Sequence, residues 1–150
     1  MTPQEIARWM RREHLRIQEL DDALRQMIAT VPRGREERWI SDLRNEFEKF
    51  RAHCCKHFAM EEKDGYLLGV LERRPTLSSK VTLLEHHHQE LMWLMNSIWN
   101  QVVELGPADH IKIRDCRDRI RRFLSFLEEH EKDENALVSY VFTQEEGTKD

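Results

Sequence analysis

Two short stretches, His57-Phe-Ala-Met-Glu61 and His130-Glu-Lys-Asp-Glu134, each place an imidazole and a carboxylate four residues apart. On a helix that spacing puts both groups on one face, where nitrogen and oxygen donors can share a divalent cation. Two further histidines, His14 and His88, precede His57 and His130 by almost the same interval. All four histidines fall on apolar stripes, where an unpaired carboxylate such as Glu61 or Glu134 would cost on the order of several kcal/mol. No Lys or Arg occupies those stripes to neutralise the two glutamates. A metal would. Four imidazoles and two carboxylates can hold two divalent cations with coordination positions left open, and this mixed donor set suits iron or manganese better than a thiolate-rich zinc site.

The elements that must carry these residues are helices. Thr2-Pro-Gln-Glu5 supplies an N-cap, a proline in the first turn and a capping-box glutamate. The first helix is predicted to run to about Thr30, where Val31-Pro-Arg-Gly34 breaks it. The second runs from about Glu36 to near Gly69, ending before Arg74-Pro75, with Gly65 and Gly69 making its end the weakest boundary. The third begins near Ser78 and stops at Gly106-Pro107; the fourth spans about Asp109 to Phe142.

Apolar residues recur at intervals of three and four along each segment. The third helix gives Val81, Leu84, His88, Leu91, Met95, Ile98, Val102 and Leu105. The fourth gives Ile113, Cys116, Ile120, Phe123, Leu127, His130, Glu134, Leu137 and Val141. The second gives Ile40, Leu43, Phe47, Phe50, Cys54, His57 and Glu61, then Asp64, Leu68 and Leu71, while the first fits less well because Asp21 falls on its stripe. Four such segments with short connections predict an all-α, antiparallel up-down-up-down four-helix bundle over residues 1–142, followed by a polar tail at 143–150.

The two halves of the chain also match. His14 and His88 stand at nearly the same distance before the ends of their helices, and His57 and His130 at the same distance after the starts of theirs. Equal distances from the turn of an antiparallel hairpin mean equal height. The bundle therefore has an internal two-fold pseudo-repeat that brings His14, His57, Glu61, His88, His130 and Glu134 to one layer. In Leu84-Glu-His-His-His-Gln-Glu-Leu91, consecutive side chains point about 100° apart, so the three histidines cannot all face inward. His88 keeps Val81, Leu84, Leu91, Met95 and Ile98 on its face; His87 is the alternative, at the place Glu13 holds in the first half.

Other polar residues draw blander expectations. His53 reads as a partly exposed neighbour of His57, Cys54 as a small buried residue, and His110 as solvated. Glu62, Glu131 and Asp133 point off the stripes and read as solvated, with support of a ligand the alternative. Asp21 and Asp64, each seven residues past a histidine, are expected near openings of the bundle. Trp9, Trp39, Trp93 and Trp99 are expected at bundle edges or on the surface of a homodimer.

Composition narrows the classes. Residues Asp, Glu, Lys and Arg make up 35% of the chain, with five Gly and four Pro, which favours long helices with solvated faces. A net charge of −4 argues against a nucleic-acid partner, since phosphate binding needs a concentrated basic surface. No apolar run approaches the roughly 20 residues of a membrane span, and the N-terminus lacks a signal peptide's apolar stretch. Cys54, Cys55 and Cys116 are odd in number and two are adjacent, so no disulfide framework is expected and the location reads as cytoplasmic.

At these residues the chain resembles the hemerythrin-like (HHE cation-binding) domains, from about Glu13 to Leu137. The resemblance rests on Glu13-His14, His57-x-x-x-Glu61-Glu62, the segment from Pro75 through Val81-x-x-Leu84-x-x-x-His88-x-x-Leu91, and His130-x-x-x-Glu134. It implies a non-haem di-iron centre, two irons bridged by oxo or hydroxo, with histidine terminal ligands and Glu61 and Glu134 bridging. The oxygen-carrying members have a further histidine four residues before or after the third-helix ligand, and an aspartate five residues after the last one. Here those neighbours are Leu84 and Met92, and the final carboxylate is Glu134 at plus four. The chain is thereby more similar to the symmetric four-His, two-Glu domains linked with nitric-oxide stress and iron–sulfur repair. That likeness implies binding or sensing of a small diatomic (O2 or NO) or peroxide, in stress response or iron handling. The alternative is an enzyme proper: a peroxidase, a nitric-oxide reductase or an iron–sulfur repair factor.

Overall fold

The computed structural model describes residues 2–63 and 66–143. They form α1 (Pro3–Ala29), α2 (Glu36–Lys63), a short α3 (Tyr66–Arg73), α4 (Ser78–Glu104) and α5 (His110–Val138), with a 3-10 turn at Pro75–Leu77 and a π-helical turn at Ser139–Thr143. No strand occurs among the described residues. The capping box forms as the sequence indicates. The Thr2 hydroxyl accepts the Glu5 N–H at 3.1 Å, and the Glu5 carboxylate accepts the Thr2 N–H at 3.3 Å. The α1–α2 turn needs a backbone with φ +80° at residue 34, and the chain places Gly34 there.

Side-chain bonds between helices fix the topology. Trp39 donates to the Met27 carbonyl while His57 meets Glu13, so α1 and α2 run antiparallel. Arg44 bonds the carbonyls of Val102 and Val103, Arg51 bonds Asn96, and His88 meets Glu62, which makes α2 and α4 antiparallel. Gln101 with Asp115 and His88 beside His130 give the same for α4 and α5. Arg117 on the Ile28 carbonyl, and His14 on Asn135, close the ring by setting α5 antiparallel to α1. The four long helices form an all-α bundle with up-down-up-down order.

The core is split in two by the polar layer. One apolar cluster takes Ile17, Leu24, Phe47, Phe50, Met95 and Phe123 among others; the second takes Ile6, Met10, Tyr66, Val70, Leu137 and Phe142. On α1, α4 and α5 the histidine lies between a residue of one cluster and a residue of the other; beyond Glu61 of α2 the second cluster is supplied by Tyr66, Leu67 and Val70 of α3. Apolar packing above and below holds the layer at a fixed height.

Two boundaries differ from expectation. The apolar spacing carries the second helix to Gly69 with Leu68 and Leu71 inward. Instead α2 ends at Lys63 and α3 starts afresh at Tyr66, so Tyr66, Leu67 and Val70 are buried and Leu68 is 52% exposed. A new helix carries a new phase, and the stripe of α2 does not extend across it. Asp64 and the segment 144–150 lie outside the described residues. The last helix gives way at Ser139 to the π turn, which still buries Val141 and Phe142. Asp21 is not at an opening: it is buried and accepts Arg25 at 2.6 Å, while Arg25 also bonds Glu128 on α5 at 2.9 Å.

Candidate metal centre

His14 from α1, His57 and Glu61 from α2, His88 from α4, and His130 and Glu134 from α5 meet in the layer between the two apolar clusters, and all six are buried. The i, i+4 pairs face one another as a helix requires: His57 Nε2 lies 2.6 Å from Glu61 Oε1, and His130 Nε2 lies 3.2 Å from Glu134 Oε1. Glu134 reaches further, to 3.7 Å from His14 Nε2 and 3.4 Å from His88 Nε2. Glu61 in turn stands 3.7 Å from His88 Nε2. His88, not His87, is the inward member of the triplet: His87 is half-buried, and His86 is exposed beside Glu90.

Ligand atoms of His14, His57, Glu61 and Glu134 all lie within 4.8 Å of one another, and those of His88, His130 and Glu134 make a second such group. Glu134 belongs to both. None of the four Nε2 atoms, neither oxygen of Glu61, nor Oε1 of Glu134 has a hydrogen-bond partner, although each is buried. Orphaned buried donors and acceptors of this kind are rare in proteins. Their convergence fits a bound cation, because nitrogen and carboxylate lone pairs then all point to one partner.

The outer ring nitrogens set the tautomers. His14 Nδ1 contacts the Asn135 amide oxygen at 2.8 Å, His57 Nδ1 contacts Glu13 at 3.2 Å, and His88 Nδ1 contacts Glu62 at 3.0 Å. Carbonyl and carboxylate oxygens only accept, so each Nδ1 carries the proton and each Nε2 turns a lone pair inward. That is the form a metal binds. His130 departs from the pattern: His87 takes the place of a carboxylate, its ring 5.7 Å away at an angle of 75°, and His130 Nδ1 has no hydrogen-bond partner.

The electrostatics agree with a site built for positive charge. Burial pushes the Glu61 carboxyl well up, with the Glu134 charge adding to it. Burial acts the same way on Glu134, but contacts with Glu61, His130, His14 and His88 outweigh it and hold that carboxyl well below the usual range. Burial drives the His57 imidazole down to about 3. For His14 and His88 burial acts downward too, yet Glu134, aided by Glu131 for His14 and Glu62 for His88, leaves both above the ordinary imidazole value. One ionised carboxylate thus sits among imidazoles in a buried layer.

Several residues around the layer depart from what periodicity suggests. Tyr66, fully buried at the start of α3, donates its hydroxyl to Glu134 Oε2 at 2.5 Å. Burial, followed by the charges of Glu134 and Glu61, pushes its phenol well up and keeps it a donor. No helical phase from Glu61 reaches position 66, so no sequence signal marks it. Trp9, expected at an edge, stacks on His57 with ring centroids 5.6 Å apart. Trp39 is buried and Trp93 is 70% exposed. Glu62 is exposed, as expected, and its carboxylate also reaches His88, the supporting role given as the alternative. Glu131, also expected to be solvated, is buried with Oε1 unpartnered, and burial lifts it to about 8. The bland expectations for the remaining residues agree with the structure. Cys54 is buried with its thiol pushed well up by burial, His53 is partly exposed 3.3 Å from Glu13, and His110 and Asp133 are exposed.

Fold and site together define a helical bundle whose four long helices bring buried His and Glu groups that could hold metal ions into one layer. The model of the hemerythrin HHE cation binding domain matches residues 5–137, and the chain belongs to that family. Neither the comparison with curated proteins nor that with solved structures returned a match. Domains of this family bind metal ions, usually iron, and the buried His/Glu groups fit such a site. No described helix is long and apolar enough to cross a membrane.

Proposed function

We propose that this chain is a cytosolic non-haem di-iron protein that binds or senses O2, NO or peroxide in stress response or iron handling. One observation carries the reading: seven buried donor and acceptor atoms of six side chains converge without hydrogen-bond partners, with Glu134 shared between two groups. In this reading His14 and His57 with Glu61 and Glu134 hold one iron, and His88 and His130 with Glu134 hold the other. Glu61 Oε1, 3.7 Å from His88 Nε2, would be a further carboxylate near the second group. Bound iron supplies a redox-active Lewis acid with open coordination positions. The chain supplies the rest. Glu13, Glu62 and Asn135 keep Nε2 lone pairs directed inward, and Trp9 on His57 and Phe58 on His88 exclude water.

Tyr66 favours a second reading, that of an enzyme such as a peroxidase, a nitric-oxide reductase or an iron–sulfur repair factor. Its phenol donates a hydrogen bond to Glu134 from within the buried layer, a polar group that could serve a reacting ligand as well as orient the carboxylate. Anaerobic purification with metal analysis, then optical titration with O2, peroxide and NO, tests both. Two irons per chain with ligand-dependent spectra are expected. Catalytic turnover of peroxide or NO would select the enzyme, and a chain that stays iron-free after reconstitution would sink both.

A further inference from the structure

The two halves of the chain are equivalent at the layer but not around it. The offset that carries His57 and Glu61 onto His130 and Glu134 carries Phe58 onto Glu131. Phe58 is buried and stacks on His88 with ring centroids 4.5 Å apart and planes within 16°. That covers the site on the α2–α4 side. On the α1–α5 side the matching residue is a carboxylic acid, and His14 has no aromatic lid of that kind. Asp21 likewise stands where the second half has Met95, by the offset that relates His14 to His88. Apolar residues on one side of the bundle are replaced by acids on the other.

A groove of about 760 Å³ opens along this polar side, with Met10, His14 and Gln18 of α1 and Glu128, Glu131 and Asn135 of α5 on its walls. Arg11 and Lys132 stand exposed on its rim. Its buried wall is different in kind: Glu131 is 8% exposed, and its Oε1 has no partner. A carboxyl group in that condition is uncompensated unless something with positive charge or a donor hydrogen comes to it.

All six inner side chains are at most 8% exposed, so a metal must be passed inward to reach them. We infer that the α1–α5 groove is the route by which a divalent metal cation enters the centre, with Glu131 as the carboxylate that receives it and hands it to His14 and Glu134. The inference rests on the metal-centre reading above. Glu131 lets the cation go once the inner donors take over. It is then a transient ligand whose substitution changes how fast the centre fills, not how much metal it holds.

The competing route is the smaller pocket between α4 and α5, about 220 Å³, which is lined by His87 and His130. The test uses the whole chain stripped of metal, mixed anaerobically with ferrous ion while free iron is followed with a chromogenic chelator. Glu131→Phe copies the covered half, replacing the receiving carboxyl with an apolar lid, and is expected to slow uptake several-fold or more. Glu131→Gln keeps the shape and removes the carboxyl group that can ligate a cation; it is expected to slow uptake several-fold and keeps the test in hand should the phenylalanine variant not fold. Both are expected to reach the wild-type iron content. Wild-type uptake rates in both variants would overturn the route, as would slowing by His87→Phe in their place. A lower final iron content in Glu131→Gln would overturn it too, by making Glu131 a permanent ligand. A wild-type chain that takes up no iron would instead remove the metal-centre reading, and this route with it.

Discussion

Glu134 lies within 3.7 Å of the inner nitrogens of His14, His88 and His130 and accepts the Tyr66 hydroxyl. It is the carboxylate that belongs to both donor groups, and the consequences of removing it differ from those of removing its neighbours. Glu134→Ala deletes the only carboxylate common to both donor groups and is expected to abolish binding of both metals. Glu62→Gln leaves every inner donor in place and loosens only the support of His88. It is expected to keep the metal content while weakening affinity by roughly 10- to 100-fold, the usual cost of disturbing a histidine's outer hydrogen bond. Metal analysis with competitive chelator titration separates the two, and equal loss in both would contradict the shared role of Glu134. Tyr66→Phe removes a donor from a buried carboxylate. It is expected to lower the stability of the metal-free chain by about 1–3 kcal/mol, read from urea unfolding.

Elements carry what single residues cannot, and they also mark how far the sequence can be read. The 3.6-residue phase is unambiguous wherever one helix runs unbroken, which is why the six inner residues and the choice of His88 are legible. It fails across the α2–α3 break, where periodicity turns Leu68 inward and passes over Tyr66. Glu131 escapes for another reason: it stands beside the inner stripe of α5 on the wall of the α1–α5 groove, and the periodicity of one helix does not show how a neighbouring helix is placed. Asp21 shows the same effect, since its setting depends on Arg25 reaching across to Glu128 and so tying α1 to α5. Burial raises the Asp21 carboxyl from 3.8 to about 6, with Arg25 pulling the other way. A group whose pKa is higher folded than unfolded gives up its proton first in the unfolded chain. Its contribution to stability is therefore complete below about 3.8 and is lost as pH rises through about 6. Asp21→Asn is expected to flatten the decline of unfolding free energy across that window, and a variant whose decline matches wild type would show that other groups set it.

At the scale of the molecule, the layer divides one bundle into two apolar clusters, the first built on α1, α2, α4 and α5 and the second on α1, α3, α4, α5 and the π turn. Each cluster alone packs well, but the layer between them leaves buried polar atoms unpartnered when no cation is present. Metal binding and folding are consequently linked: a cation that binds the folded layer and not the unfolded chain adds its binding free energy to stability. At free metal one hundred times the dissociation constant, one site contributes about 2.7 kcal/mol. For a chain of this size that corresponds to a rise in Tm of roughly 5–10 °C. Removal of metal with a strong chelator is expected to lower Tm by a comparable amount, and ferrous ion to restore it, in calorimetry under anaerobic conditions. Glu134→Ala offers the internal control. It removes the shared ligand, so its Tm is expected no longer to respond to iron. If the variant and the wild-type chain respond alike, the stabilising cation sits elsewhere in the molecule, and the unpartnered atoms of the layer are then satisfied by water instead.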